Sequence, residues 1–224
     1  MEGKMADTNQ AADYSEPVEQ TKDASPLPMT QAQIEAATIG APALLDRPIL
    51  IADYDHEWPQ LFQREAARIR SVLGPRALAI EHVGSTSVPG LAAKPIIDTL
   101  LVVANSADEA AYIPALEATG YVLRIREPDW NEHRMLKGPD TDVNLHVFSR
   151  GCAEIERMLL FRDWLRRNRE DLRLYEQTKL DLARRSWKYM QNYADAKSEI
   201  VTQILARAQK AAKSNRDETK DSKV

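Results

Sequence analysis

With 224 residues, 43% of them hydrophobic and 29% charged, the chain has the length for one domain with tails and is too short for two full ones. Its single cysteine, Cys152, excludes an internal disulfide and a thiolate metal site, and a net charge of −4 argues against a broadly basic nucleic-acid surface. No apolar run reaches the roughly 18–20 residues that cross a bilayer, and the opening MEGKMADTNQAADYSEP has no apolar signal core, so a soluble, cytoplasmic protein without membrane attachment is expected.

Residues 1–45 are rich in Gln, Asp, Glu, Pro and Ala and bury too little apolar surface to offset chain ordering, which predicts a disordered acidic tail. A short helix around 31–38 is the one element that composition allows there. Order is expected over 46–210. PILIADY (48–54) reads as a strand, with Asp55 as N-cap of the next helix. In that helix Trp58, Leu61, Phe62, Ile69, Val72 and Leu73 recur at helical spacing, and Gly74-Pro75 ends it. Strands follow at LAIEHV (78–83) and IIDTLLVV (96–103), joined by the turn GSTSVPGLAAKP. A helix over 107–119 closes at Gly120, and YVLRI (121–125) is a further strand. Residues 126–137 read as a polar loop, DVNLHVF (142–148) as a strand, and the pattern from Ala153 onward is helical. Residues 211–224 read as a second disordered tail. The order predicts an α/β (α+β) fold, a mixed sheet flanked by helices with a helical C-terminal extension.

Residues 150–224 carry eighteen basic and twelve acidic side chains, interspersed rather than clustered. That pattern suits solvated helix faces better than a nucleic-acid grip, so nucleic acid is not the expected partner.

The chemistry concentrates in EHVGSTSVPGLAAKPIIDTLLVV (81–103). Gly84, Ser85, Thr86 and Ser87 follow a strand, and such a turn lets backbone N–H groups and hydroxyls converge on a phosphate. On its own it is equally a tight connection between strands. Asp98, thirteen residues after Ser85, interrupts an otherwise apolar strand. A buried carboxylate is costly without a partner, so Asp98 faces a cleft or meets a strong cation. Lys94 stands at the mouth of that strand, either reaching a phosphate or pairing with Glu81 or Asp98.

A Gly-Ser turn followed about a dozen residues later by an aspartate on an apolar strand resembles the nucleotidyltransferase superfamily. More specifically, the EHVGSTSVPGLAAKPIID run, LHVF at 145–148, FRDWL at 161–165, the Tyr175–Lys179 pairing and YADAK at 193–197 resemble the GrpB family, from about Ile49 to Ala208. That resemblance implies a nucleotidyltransferase-like scaffold on which the aspartate holds a divalent metal, Mg²⁺ or Mn²⁺, against a nucleoside triphosphate. Relatives fused to a dephospho-CoA kinase point to a nucleotide or coenzyme A context.

The pattern is incomplete. Active members of the superfamily usually carry a second carboxylate two residues on, where this chain has Leu100. In DVNLHVF the alternation sends Val143, Leu145 and Val147 to the core and Asp142, Asn144 and His146 to the other side, towards Asp98. With His82 before the turn, Asp98 and His146 form a candidate two-histidine, one-carboxylate metal set; alternatively each histidine donates to a backbone carbonyl or to Asp98. His146 is also the candidate base beside Asp98 as catalytic residue. Arg134 is a candidate phosphate fork and Trp130 a candidate stacking surface, unless the loop that carries them simply packs on the body. Tyr175, Lys179 and Lys197 either line the cleft or tie the C-terminal helices down. The expected function is binding of a nucleotide or other phosphorylated small molecule, with nucleotidyl transfer to a small acceptor; the alternative is a catalytically degenerate small-molecule or protein-binding module.

Overall fold

The computed structural model describes residues 27–221. Helix α1 (Gln31–Ala37) is followed by α2 (Trp58–Leu73), in which Trp58, Phe62, Ala66, Ile69 and Leu73 share one buried face. Pro59 is tolerated in its first turn, where no intrahelical donor is lost. Asp55 sits two residues before the N-cap, Glu57, and accepts that residue's backbone N–H at 2.8 Å. Strands β1 (Ala79–Val83) and β2 (Ile97–Val103), helix α3 (Ile113–Glu117), and strands β3 (Val122–Glu127), β4 (His133–Lys137) and β5 (Val143–Ser149) complete the sheet region. Helices α4 (Ala153–Arg167), α5 (Arg169–Ala183), α6 (Met190–Asp195) and α7 (Ser198–Asp221) form the C-terminal extension.

The five strands lie in the order β1-β2-β5-β4-β3, with β2 and β5 parallel and the other neighbours antiparallel. The mixed sheet with flanking helices is the α/β arrangement the sequence predicts. Side chains alternate across it. One face, with Ile97, Leu101, Val103, Val143, Leu145 and Val147, packs beneath α2 and α3. On the other, Val83, Leu100, Val102 and Phe148 meet Ile155, Met158 and Leu159 of α4.

Five expectations give way. PILIADY is not a strand: it makes a single bridge, Ala52 to Ala93, over the connection between β1 and β2, and does not join the sheet. The helix over 107–119 breaks into a 3₁₀ turn at Glu109–Ala111 and the short α3, which begins at Ile113 with Pro114 in its first turn. The polar loop 126–137 is instead the β3–β4 hairpin, turned through Asn131 and Glu132 at positive φ of 54° and 49°. Residues 27–45 are held on the body, since Ile34 is buried, Ile39 N–H donates to Arg124 O and Leu45 N–H to Lys188 O. Residues 1–26 of the expected tail lie outside the described residues. At the other end α7 continues to Asp221, past the expected boundary at 210, and residues 222–224 lie outside the described residues. Among the described residues no helix is long and apolar enough to cross a membrane.

The C-terminal helices are joined by a buried carboxylate. Asp171 at the start of α5 accepts from Arg207 of α7 at 2.5 Å and from Trp164 Nε1 of α4 at 2.6 Å. Burial opposes its charge, but Arg207 and Trp164 outweigh that and hold the carboxyl below its usual range. Because the folded value is depressed, this stabilisation is present above the ordinary aspartate range and is lost as pH falls through the folded value. Asp171→Ala is expected to cost about 2 kcal/mol, discounted from a fully buried pair because Arg207 is partly exposed. Urea denaturation near neutrality checks this, and the difference from wild type shrinks in acid.

Candidate functional site

Asp98 lies near the start of β2, on the face shared with Leu100, Val102, Asn144, His146 and His133. The parallel register sets Asp98 beside Asn144 and Leu100 beside His146. Asn144 Nδ2 donates to Asp98 Oδ1 at 2.8 Å, and His146 Nε2 stands 3.7 Å from the same oxygen. Both side chains stay about a quarter exposed, so the pair remains open to solvent. Burial would raise the Asp98 carboxyl, but the imidazolium form of His146, then Asn144 and Lys94, overcome it and hold it below the carboxylate range.

The turn after β1 closes directly on this carboxylate. Gly84 adopts φ 67° and ψ −172°, a region open essentially to glycine alone. A Cβ there would lie 2.3 Å from Asp98 Oδ2. Of the three hydroxyls that follow, two are spent inside the turn. Thr86 Oγ1 donates to Ile96 O at 3.0 Å, and Ser87 Oγ donates to Gly84 O at 2.6 Å; both residues are buried. Only Ser85 and the exposed backbone at Gly84 face outward, and Ser85 meets Tyr175 of α5. Burial pushes the Tyr175 phenol up to about 12, against the pull of that hydrogen bond.

Opposite Asp98 stand two half-buried ammonium groups. Lys94 Nζ donates to the thioether of Met190 at 2.8 Å and lies 5.5 Å from the centre of the Tyr193 ring; Lys197 Nζ lies 4.7 Å from the same ring. Among the described residues neither has a carboxylate within 4.0 Å. Burial first, and then Lys197, lowers Lys94 to about 8; burial also lowers Lys197. Both lie against the ring of Tyr193, whose hydroxyl is buried without a hydrogen-bond partner. Beside Tyr175 and Lys197 opens a hollow of about 140 Å³, bounded on its far side by Arg157. Lys179 differs from the other two lysines. It is buried, donates to Ala92 O and lies over the Tyr175 ring at 4.9 Å. With Glu176, which accepts Ala92 N–H at 2.7 Å, it clamps the loop between turn and strand onto α5.

Two expected site residues lie elsewhere. His82 pairs with Thr99, which puts its ring on the opposite face of the sheet from Asp98. There it stacks on Phe62 with centroids 4.8 Å apart, and its Nε2 lies 3.1 Å from Thr86 Oγ1. Burial lowers it to about 4, which keeps it neutral. Arg134 likewise projects from the opposite face; it is buried against Glu109 at 2.5 Å and its own hairpin and has no free fork for a phosphate. The trio of His82, Asp98 and His146 is therefore not assembled, and among the described residues no three His, Cys, Asp or Glu side chains gather to hold a metal ion. Leu100, at the position of the usual second carboxylate, is fully buried among apolar side chains. This donor set does not fit a pair of metal ions bridged by carboxylates.

Three contributors went unassigned in the sequence. His133 Nε2 lies 3.0 Å from His146 Nδ1, and Glu127 Oε2 lies 2.6 Å from His133 Nδ1. Tyr193 is the third; its signal was the aromatic one helical turn before Lys197 in YADAK.

A mixed five-stranded sheet flanked by helices, with one aspartate, a glycine turn and two half-buried lysines brought near one another beside the C-terminal helices, defines an α/β protein. The comparisons place it further. The model of the family described as GrpB protein matches residues 48–207, and the chain belongs to the GrpB family. It is 60% identical over 181 residues, 81% of this chain and 93% of the relative, to the UPF0157 protein BH1888 of Halalkalibacterium halodurans. It is 45% identical over 170 residues, 76% of this chain and 88% of the relative, to the UPF0157 protein SCO7215 of Streptomyces coelicolor. Among solved structures it is similar to the conserved protein GrpB from Enterococcus faecalis, at 30% identity and a TM-score of 0.65 over 73% of this chain and 99% of that one.

Proposed function

We propose that this protein binds a nucleotide or another phosphorylated small molecule in the Asp98 cleft, with Lys94 and Lys197 taking the phosphate. The observation that carries this reading is the pair of half-buried ammonium groups, which have no carboxylate within 4.0 Å, feel the Asp98 charge only at longer range, and lie against a phenol whose hydroxyl is buried and unsatisfied. Burying cations and a donor in this way is unfavourable unless an anion completes the set. The outward face of the Gly84–Ser85 turn supplies further backbone donors on the same side.

The His146–Asp98 pair favours a second step, transfer of a nucleotidyl group to a small acceptor. The acceptor's hydroxyl or amine would lose its proton to His146 as it bonds to the α-phosphorus, and the bond to the departing pyrophosphate would break. With one carboxylate in the cleft, the lysines would neutralise the charge developing on the phosphates, as a metal pair does elsewhere.

Isothermal calorimetry with ATP, GTP, CTP and coenzyme A, each with and without Mg²⁺ or Mn²⁺, is the test. Saturable binding that persists without divalent ions is expected. Heats indistinguishable from dilution for all four, in every buffer, would end the proposal. Tyr193→Phe removes the unsatisfied hydroxyl and is expected to raise stability by about 1 kcal/mol while weakening ligand affinity. Thermal melting and calorimetry on the same variant read both changes.

A further inference from the structure

Four side chains from four strands form one line across the sheet: Asp98 on β2, His146 on β5, His133 on β4 and Glu127 on β3. The contacts run 3.7 Å from Asp98 Oδ1 to His146 Nε2, 3.0 Å from His146 Nδ1 to His133 Nε2, and 2.6 Å from His133 Nδ1 to Glu127 Oε2. The rings of His133 and His146 are stacked at 18°, and His133 also lies against Phe148 and Trp130, so both imidazoles are held in orientation.

Proton placement along this line follows from what each group can give. An ionised carboxylate only accepts, so His133 Nδ1 carries the proton donated to Glu127. His133 is buried, and burial lowers its affinity for a second proton. Its Nε2 is then an acceptor, and the hydrogen bond to it must come from His146 Nδ1–H. The remaining nitrogen of His146, Nε2, is left with a lone pair, and it faces Asp98 Oδ1. Two acceptors now oppose each other across a gap slightly too long for a direct hydrogen bond.

We infer that Glu127 and His133 are positioning residues that fix His146 as the Nδ1–H tautomer, so that the gap between His146 Nε2 and Asp98 Oδ1 receives a ligand group with a proton to give, a hydroxyl or an ammonium. This rests on the Asp98 cleft being the ligand site, and it names the second half of the ligand: phosphate on the lysine side, a donor group on the histidine side. A carboxylate or a second phosphate oxygen at that point would face two acceptors and be rejected. The arrangement is that of a histidine oriented by a carboxylate, extended by one ring.

Nitrogen-15 NMR of histidine-labelled protein, free of ligand and at mildly alkaline pH, reads the tautomer directly. The expected pattern is a protonated, pyrrole-like Nδ1 and an unprotonated, pyridine-like Nε2 at His146. His133→Phe keeps the ring stack and removes the acceptor, and is expected to abolish that pattern. Glu127→Leu removes the carboxylate at the far end and is expected to do the same, which keeps the test usable should one variant fold poorly. A wild-type His146 carrying its proton on Nε2, or an unchanged pattern in both variants, overturns the inference. The measurement needs no ligand, so absence of phosphate binding in calorimetry would remove the functional reading and leave the tautomer result intact. In that calorimetry both variants are expected to keep their affinity for inorganic phosphate and lose the added affinity of a phosphate bearing a hydroxyl.

Discussion

Gly84→Ala is expected to lower stability by about 3 kcal/mol and to abolish ligand binding. Two costs add. The backbone at Gly84 occupies a region that other residues reach only at about 1–3 kcal/mol. The new Cβ would also stand 2.3 Å from Asp98 Oδ2 and 2.9 Å from its Cγ, so the carboxylate must move away from Asn144 and His146. The turn therefore cannot relax without dismantling the acidic side of the cleft. A denaturant midpoint and calorimetry with ATP check both halves. A variant that melts like wild type would mean that the turn does not press on Asp98.

Replacing the lysines separates binding from folding. Lys94→Met and Lys197→Met each remove one charge-assisted contact to the ligand phosphate, about 1.5–3 kcal/mol, which is a loss of roughly tenfold or more in affinity. Neither is expected to weaken the fold, because burial opposes the charge of each ammonium and the attraction of Asp98 offsets that cost only in part. The free protein is expected to be as stable or more so, a combination that a purely structural lysine would not produce. pH supplies an independent check. The folded value of Lys94, about 8, lies below that of an exposed lysine. Its protonated form therefore opposes folding, and stability grows as pH rises from about 8 towards the ordinary lysine range. Affinity for a phosphate falls over the same interval as the ammonium is lost. Ligand binding near pH 8 is accordingly expected to take up protons, measurable by calorimetry in buffers of different ionisation enthalpy. Affinity that stays flat through this window would count against Lys94 as a phosphate contact.

Much of the cleft was legible because strand periodicity needs only local sequence. Asp98 stood out in an apolar run, and the alternation of Val143, Leu145 and Val147 sent Asn144 and His146 to one side. The parallel register then brought them beside Asp98. What failed depended on pairing between distant segments. The side to which His82 points is settled by the antiparallel register with Thr99, which nothing in IEHV announces. Arg134 and His133 are adjacent on one strand, so only one of them can reach the cleft. The partner that draws Arg134 to the opposite face, Glu109, lies 25 residues away. The hairpin that carries them read as a loop because its polar residues satisfy one another rather than alternating with apolar ones. Lys94 and Lys197 show the same limit, since no local pattern tells an unpaired lysine from a paired one.

The first described segment reaches both the outer edge of the sheet and the C-terminal helices. Thr38 bridges Ile125 on the outermost strand, β3, while Leu44 bridges Tyr189 and Met29 N–H reaches Asp195 at the two ends of α6. An uncovered outer strand offers its backbone as a template for another molecule. This stretch, rich in alanine and aliphatic residues, thus serves as a selvedge, finishing the open flank of the sheet against pairing with other molecules and bracing, at its other end, the short helix that bears Tyr193.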